Sequence, residues 1–135
     1  MRYMGIDYGT KRIGIALSDE GGMMAFPDRV ILNIGIGASA KEILSMCKEK
    51  KVGMVVLGES RNFKGEENIV MGDIKKIKEI LEKEILVVYQ NEMFSSAEAA
   101  RPYRTHKGIR ERGENKMLDA SAAAIILESY LASSC

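Results

Sequence analysis

The sequence predicts an α/β fold. The expected sheet is mixed, a three-stranded antiparallel meander plus parallel strands, with helices on both faces. Two observations carry this. The first third holds three extended apolar runs joined by turns too short to contain a helix. The remainder alternates short unbroken apolar runs with stretches of helical period, the pattern of strands linked by crossover helices. The 135 residues amount to about one ordinary domain. No linker, repeat or low-complexity tract interrupts them, so a single domain over residues 1–135 is expected.

The first strand is read in Met4-Gly5-Ile6-Asp7-Tyr8-Gly9-Thr10. Met4 and Ile6 alternate with Gly5 and Asp7, the period of an extended chain. Gly9 allows a sharp bend, and Ile13 to Leu17 begins the second strand almost at once, so a hairpin is the simplest connection. Gly21-Gly22 marks the next turn, and Phe26 to Leu32 is the third strand, with Pro27 at its beginning. Ser39 with Glu42 three residues on makes a capping box, and Ala40, Ile43, Leu44 and Cys47 follow at helical spacing. Met54 to Leu57 is an unbroken apolar run, the mark of a strand buried on both faces; it ends at Gly58-Glu59-Ser60.

A polar loop, Arg61 to Glu67, leads to a helix with Val70, Ile74, Ile77 and Leu81 on one face. Ile85 to Val88 is a second strand of buried type and ends at Gln90-Asn91-Glu92. Ser95 or Ser96 can cap a short helix through Ala100, stopped by Pro102. Residues 102–114 have no apolar periodicity and are rich in arginine, lysine and glycine, the composition of a mobile loop. The last helix runs from about Asn115 to Leu131.

Composition excludes several classes. The apolar share of 46% and charged share of 29% are those of a water-soluble globular chain. A formal charge of +1 announces no global affinity for nucleic acid, so such a partner would be met by a local patch. Cys47 and Cys135 stand far apart, and His106 is the only histidine, which argues against a zinc site and a disulfide framework. No apolar run reaches membrane-spanning length, and a cytoplasmic protein without membrane partners is expected.

Four carboxylates stand out. Asp7, Glu59 and Glu92 each follow an apolar strand run, and parallel strands bring their C-terminal ends to one edge of the sheet, where ligands bind in such folds. Asp119 is in helical register with Ala122, Ala123, Ile126 and Tyr130, the face expected to pack on the sheet. A carboxylate there is costly unless its charge is compensated. Converging carboxylates repel unless a cation lies between them. Hard ions such as Mg²⁺ choose oxygen-only settings, and a pair of such ions supports phosphodiester cleavage. Asp7 also suits a plain turn role, and Glu59 or Glu92 taken singly suits an ordinary loop residue.

The first block, Gly5-Ile6-Asp7-Tyr8-Gly9-Thr10-Lys11-Arg12-Ile13-Gly14-Ile15-Ala16, resembles the YqgF/RuvX family of Holliday-junction resolvases and pre-16S rRNA nucleases. Val55-Val56-Leu57-Gly58, Gly65-Glu66, the run Asn91 to Ala99 and Leu118-Asp119-Ala120-Ser121-Ala122-Ala123 match further. The resemblance implies an RNase H-like fold and metal-dependent nuclease chemistry, with Mg²⁺ or Mn²⁺ on Asp7, Glu92 and Asp119. It also implies nucleic acid as partner, either branched DNA or precursor rRNA. The family's Asp-Glu-Arg reads Asn91-Glu92-Met93 here, and its Gly-Leu-Pro reads Gly58-Glu59-Ser60. Either Glu59 replaces the lost carboxylate or the site is weakened; the intact site is the favoured expectation.

Cations cluster around these positions. Lys11 and Arg12 leave the first turn beside Asp7, Arg61 and Lys64 flank Glu59, and Arg101, Arg104, Lys107, Arg110 and Arg112 crowd the basic loop. They are the expected phosphate contacts, although each is equally at home on a solvated surface. Two other classes compete. A non-catalytic nucleic-acid-binding or ribosome-maturation factor would explain Asn91 and Met93. Asp-x-Gly-Thr after a first strand also resembles the phosphate loop of actin-like ATPases, but those need two such halves. A resolvase acting on two symmetric strands is expected to act as a homodimer.

Overall fold

The computed structural model describes residues 1–59, 69–91 and 114–133, of which 69, 91 and 114–119 are described by their backbone. In chain order the elements are β1 (Arg2–Tyr8), β2 (Arg12–Ser18), β3 (Ala25–Leu32), α1 (Ile36–Lys50), β4 (Val52–Glu59), α2 (Ile69–Leu81), β5 (Leu86–Asn91) and α3 (Glu114–Ser133). The five strands form one sheet in the order β3-β2-β1-β4-β5. The first three pair as the expected antiparallel meander, and β4 pairs in parallel with both β1 and β5. Strand β3 therefore runs in the same direction as β1, and α1 starts at the edge where β1, β4 and β5 end.

Alternation along β1 divides its side chains between two layers. Met4, Ile6 and Tyr8 join Ile13, Ile15, Val55 and Leu57 beneath α1 and α2, where Ile43, Cys47, Met71, Ile74 and Ile77 close the larger core. Tyr3, Gly5 and Asp7 face the other way, toward α3. There Ala16 and Val56 meet Ala123, Ile126, Leu127 and Leu131. Large, fully buried side chains contribute roughly 1.5–3 kcal/mol each. Among the described residues, ten of the twelve largest such side chains belong to the α1/α2 layer, and Ile126 and Leu127 to the α3 layer, so most of their burial stability lies under α1 and α2.

The thin layer is built for close approach. A Cβ on Gly5 would stand 2.7 Å from the Ala123 carbonyl oxygen and 2.7 Å from Leu127 Cβ. A Cβ on Gly58 would meet Ile126 Cδ1 at 2.7 Å. Small residues on both sides thus let the α3 backbone sit almost on the sheet.

One expectation needs correction. Helix α1 starts three residues before Ser39, with Gly35 as its N-cap. Ser39 lies inside the helix, fully buried, and its Oγ accepts a hydrogen bond from Ile34 N at 3.1 Å. The capping-box spacing is present, but Gly35, at φ 109°, already turns the chain into the helix. Pro27 sits in the outermost strand β3, next to a register shift opposite Ile15/Ala16, where a missing donor is tolerated. The loop of residues 61–67, the short helix after Ser95 and the basic loop of residues 102–113 lie outside the described residues. Among those described, no helix is long and apolar enough to cross a membrane.

Candidate active site

Strand β1 delivers Asp7 one residue from its end, half-buried, on the α3 face. Its cross-strand partner on β2 is Gly14. On the other side Ile6 pairs with Leu57, so the next position of β4, beside Asp7, is Gly58, and Gly58 pairs in turn with Gln90 of β5. The carboxylate stands in a row with a glycine on each side. Neither flanking residue of that row carries a side chain of its own, although Ile126 Cδ1 of α3 fills the space over Gly58.

The direction of α3 determines which of its residues come near Asp7. The rings of Tyr3 and Tyr130 lie 6.1 Å apart, whereas Gly5 lies under Ala123 and Leu127. Moving up β1 from Tyr3 to Gly5 therefore moves backward along α3, and the two elements run antiparallel. Position 119, one turn before Ala123, is thereby carried toward the Asp7 end of β1 on the same side of the sheet. The two acidic positions, far apart in sequence, share one edge and one face. Helical spacing in the sequence puts position 119 in register with Ala123; the pairing of Tyr130 with Tyr3 supplies the direction, which periodicity alone does not.

Beyond Tyr8 the chain turns back within four residues, since Tyr8 pairs with Ile13. Gly9 is required there: a Cβ would come 2.6 Å from the Arg12 carbonyl oxygen. Lys11 and Arg12 are exposed. Asp7, Gly9, Thr10, Lys11 and Arg12 line an open depression of ≈ 260 Å³. An anion entering it meets two cations at the rim beside a carboxylate, the setting for a phosphate brought to an acidic centre.

Asn33, which carries no motif in the sequence, fixes this turn. Its Nδ2 donates to the Gly9 carbonyl at 2.8 Å and its backbone N donates to the Lys11 carbonyl at 2.9 Å. Its Oδ1 accepts from Gly35 N at 3.0 Å and from the Ser39 hydroxyl at 3.3 Å. The only advance signal is an asparagine between a strand and a glycine, which any turn could use.

Glu59 goes elsewhere. Val55 and Leu57 belong to the α1/α2 layer, so alternation along β4 carries Glu59 to that side, opposite to Asp7. Its charge is felt there by Tyr89. Burial pushes the Tyr89 phenol above its ordinary pKa, Lys78 and Lys75 pull it back, and Glu59 and Glu82 raise it further. Gln90 takes the Asp7 side of the neighbouring strand instead. Glu92, Arg61, Lys64, Arg101, Arg104, Lys107, Arg110 and Arg112 lie outside the described residues, as does the side chain of Asp119.

Among the described residues no three His, Cys, Asp or Glu side chains converge. Asp7 alone of the predicted ligands has a described side chain. Its carboxylate is an oxygen donor of the kind that hard divalent ions choose.

Similar proteins give the arrangement its context. The family described as "RuvX: Holliday junction resolvase" matches residues 1–133. A relative in Oleidesulfovibrio alaskensis, named "Putative pre-16S rRNA nuclease", is 38% identical over 133 residues, spanning 97% of this chain and 92% of its own. One of the same name in Maridesulfovibrio salexigens is 33% identical over 133 residues, spanning 98% of each. The structure titled "T. thermophilus RuvC in complex with Holliday junction substrate" superimposes with a TM-score of 0.65, covering 99% of this chain and 95% of that one. At 16% identity that likeness speaks for the fold, an RNase H-like sheet of the resolvase kind.

Proposed function

The chain belongs to the RuvX family of Holliday junction resolvases, a family of nucleases, and from that premise we propose that it is an endonuclease hydrolysing phosphodiester bonds in structured nucleic acid with Mg²⁺ or Mn²⁺. The observation that carries this reading is the shared edge: Asp7 and position 119 on one face of the sheet, with the Lys11–Arg12 turn beside them. Asp7, Glu92 and Asp119 are the residues we assign to the ion. When bound, the ion would supply positive charge that offsets the carboxylates and stabilises charge gathering on the phosphate oxygens.

The chain's own residues do the remaining work. Lys11 and Arg12 hold the phosphate backbone at the rim, as paired cations do at nucleic-acid surfaces. The close packing of α3 on Gly5 and Gly58 holds position 119 at a fixed height above the sheet. Backbone contacts of this type carry little base-sequence information, so shape rather than sequence is recognised. Branched DNA and the end of a precursor rRNA both meet that description. Two symmetric strands at a junction would call for two copies of the chain.

The direct test is Asp7→Asn, assayed on a four-way DNA junction and on a precursor 16S rRNA fragment with Mg²⁺ and with Mn²⁺. Loss of cleavage with the fold intact is expected. Full cleavage by this variant on either substrate would overturn the reading.

A further inference from the structure

We propose that Asn33 is a positioning residue that sets the Gly9–Arg12 turn as a ready-made seat for the substrate backbone; this rests on the nuclease reading of the Asp7 edge. Between the end of β1 at Tyr8 and the start of β2 at Arg12, residues 9–11 lie outside the strand pairing, and their carbonyls are where the turn can be held. Asn33 engages both ends: side chain to the Gly9 carbonyl at 2.8 Å, backbone N to the Lys11 carbonyl at 2.9 Å.

The amide orientation is forced by chemistry. Gly35 N can only donate, so the atom facing it at 3.0 Å must be Oδ1. The Gly9 carbonyl can only accept, so the atom facing it must be Nδ2. The Oδ1 side is held further by the hydroxyl of Ser39, which is itself fully buried in α1. The turn is thus tied through one side chain to the first turn of a helix whose body lies in the larger core.

Lys11 and Arg12 are exposed cations on a segment that Asn33 holds in place before any ligand arrives. A loop that must be ordered on binding loses affinity to that ordering. Removing the Asn33 side chain should therefore weaken phosphate contacts at the rim while leaving Asp7 on its strand. The partner is a polyanionic backbone, and the expected loss falls on binding more than on turnover.

The test measures binding of a fluorescent four-way DNA junction across a salt series for the full chain as wild type, Lys11→Ala, Asn33→Ala and Ser39→Ala, with turnover at saturating junction and Mg²⁺. Each phosphate contact contributes about 0.9 to the slope of log affinity against log salt. Asn33→Ala is expected to flatten that slope by about 1, as Lys11→Ala does, and to raise KM by about tenfold with kcat changed by less than about threefold. Ser39→Ala keeps the bond to Gly9 and is expected to keep the wild-type slope, although it loses stability. Asn33→Ser, which keeps a polar side chain too short to reach Gly9, gives the same readout should the alanine variant fail to fold.

If both Asn33 variants keep the wild-type slope and KM while Lys11→Ala flattens the slope, the role assigned to Asn33 falls and the nuclease edge stands. That role falls equally if Ser39→Ala matches Asn33→Ala. If Lys11→Ala leaves the slope unchanged, the turn is not a phosphate seat, and the assignment of Asn33 falls with it.

Discussion

Gly5 lies directly beneath Ala123, so close that a single added methyl would stand 2.7 Å from the Ala123 carbonyl oxygen. That contact is with helix backbone, which cannot swing aside. Gly5→Ala should push α3 off the sheet and cost about 1–3 kcal/mol, the usual range for overpacking a filled core. Gly58→Ala would instead meet Ile126 Cδ1, the free end of a flexible side chain, and should cost less. Urea denaturation of the two variants gives the comparison; because α3 carries position 119, Gly5→Ala should also lose more cleavage than Gly58→Ala.

Opposite faces of adjacent strands separate Asp7 from Glu59, and their neutral variants should separate too. Asp7→Asn is expected to lose at least about a hundredfold in kcat, in keeping with removal of a group that stabilises developing charge. Glu59→Gln is expected to stay within a few-fold of wild type, because its carboxylate looks toward Tyr89. A junction-cleavage assay of both variants, with circular dichroism as the check on folding, decides it. Equal losses would place Glu59 in the catalytic set after all.

Bound divalent ions should also stabilise the fold, independently of activity. A ligand at a hundred times its Kd adds about 2.7 kcal/mol to a native state that alone binds it. Thermal melts of the wild type should therefore rise with Mn²⁺, and those of Asp7→Asn should not. Equal shifts in both proteins would mean that the ion binds elsewhere.

Burial pushes the Cys47 thiol up to about 11 from its ordinary 9.0. The folded state then holds its proton more tightly than the unfolded chain does. Stability from this group is complete below about pH 9 and is lost as the pH rises toward 11, by at most about 2–3 kcal/mol. Urea midpoints at pH 8 and pH 10.5 should fall more for the wild type than for Cys47→Ala, which has no thiol to ionise. Iodoacetamide should likewise leave Cys47 unmodified in the native protein at pH 8.

Much of this architecture can be read in the residues, and the exceptions share a cause. Strand β1 announces both its period and its carboxylate, because one of its faces carries Gly5 and Asp7 where the other carries Met4, Ile6 and Tyr8. Strand β4 is apolar on both faces from Met54 to Leu57, so its alternation is erased, and nothing in the sequence tells which side Glu59 takes. The start of α1 is misread from sequence because Ser39 and Glu42 have the spacing of a cap, whereas the helix begins upstream at Gly35, whose backbone N donates to Asn33 Oδ1. Asn33 itself is illegible. Its partner Gly9 is 24 residues away, and a side-chain bond to a backbone carbonyl across two loops leaves no periodic trace.

The antiparallel course of α3 over β1 also orders events in time. Strand β1 is the first of the described elements to be made and α3 the last, so throughout translation a growing polypeptide carries Asp7 long before its acidic counterpart exists. On the proposed function, the hydrolytic centre would be completed only when α3 docks onto Gly5. On that reading, a chain halted before α3 would hold the residues of the larger core and yet lack the means to cut the nucleic acid around it.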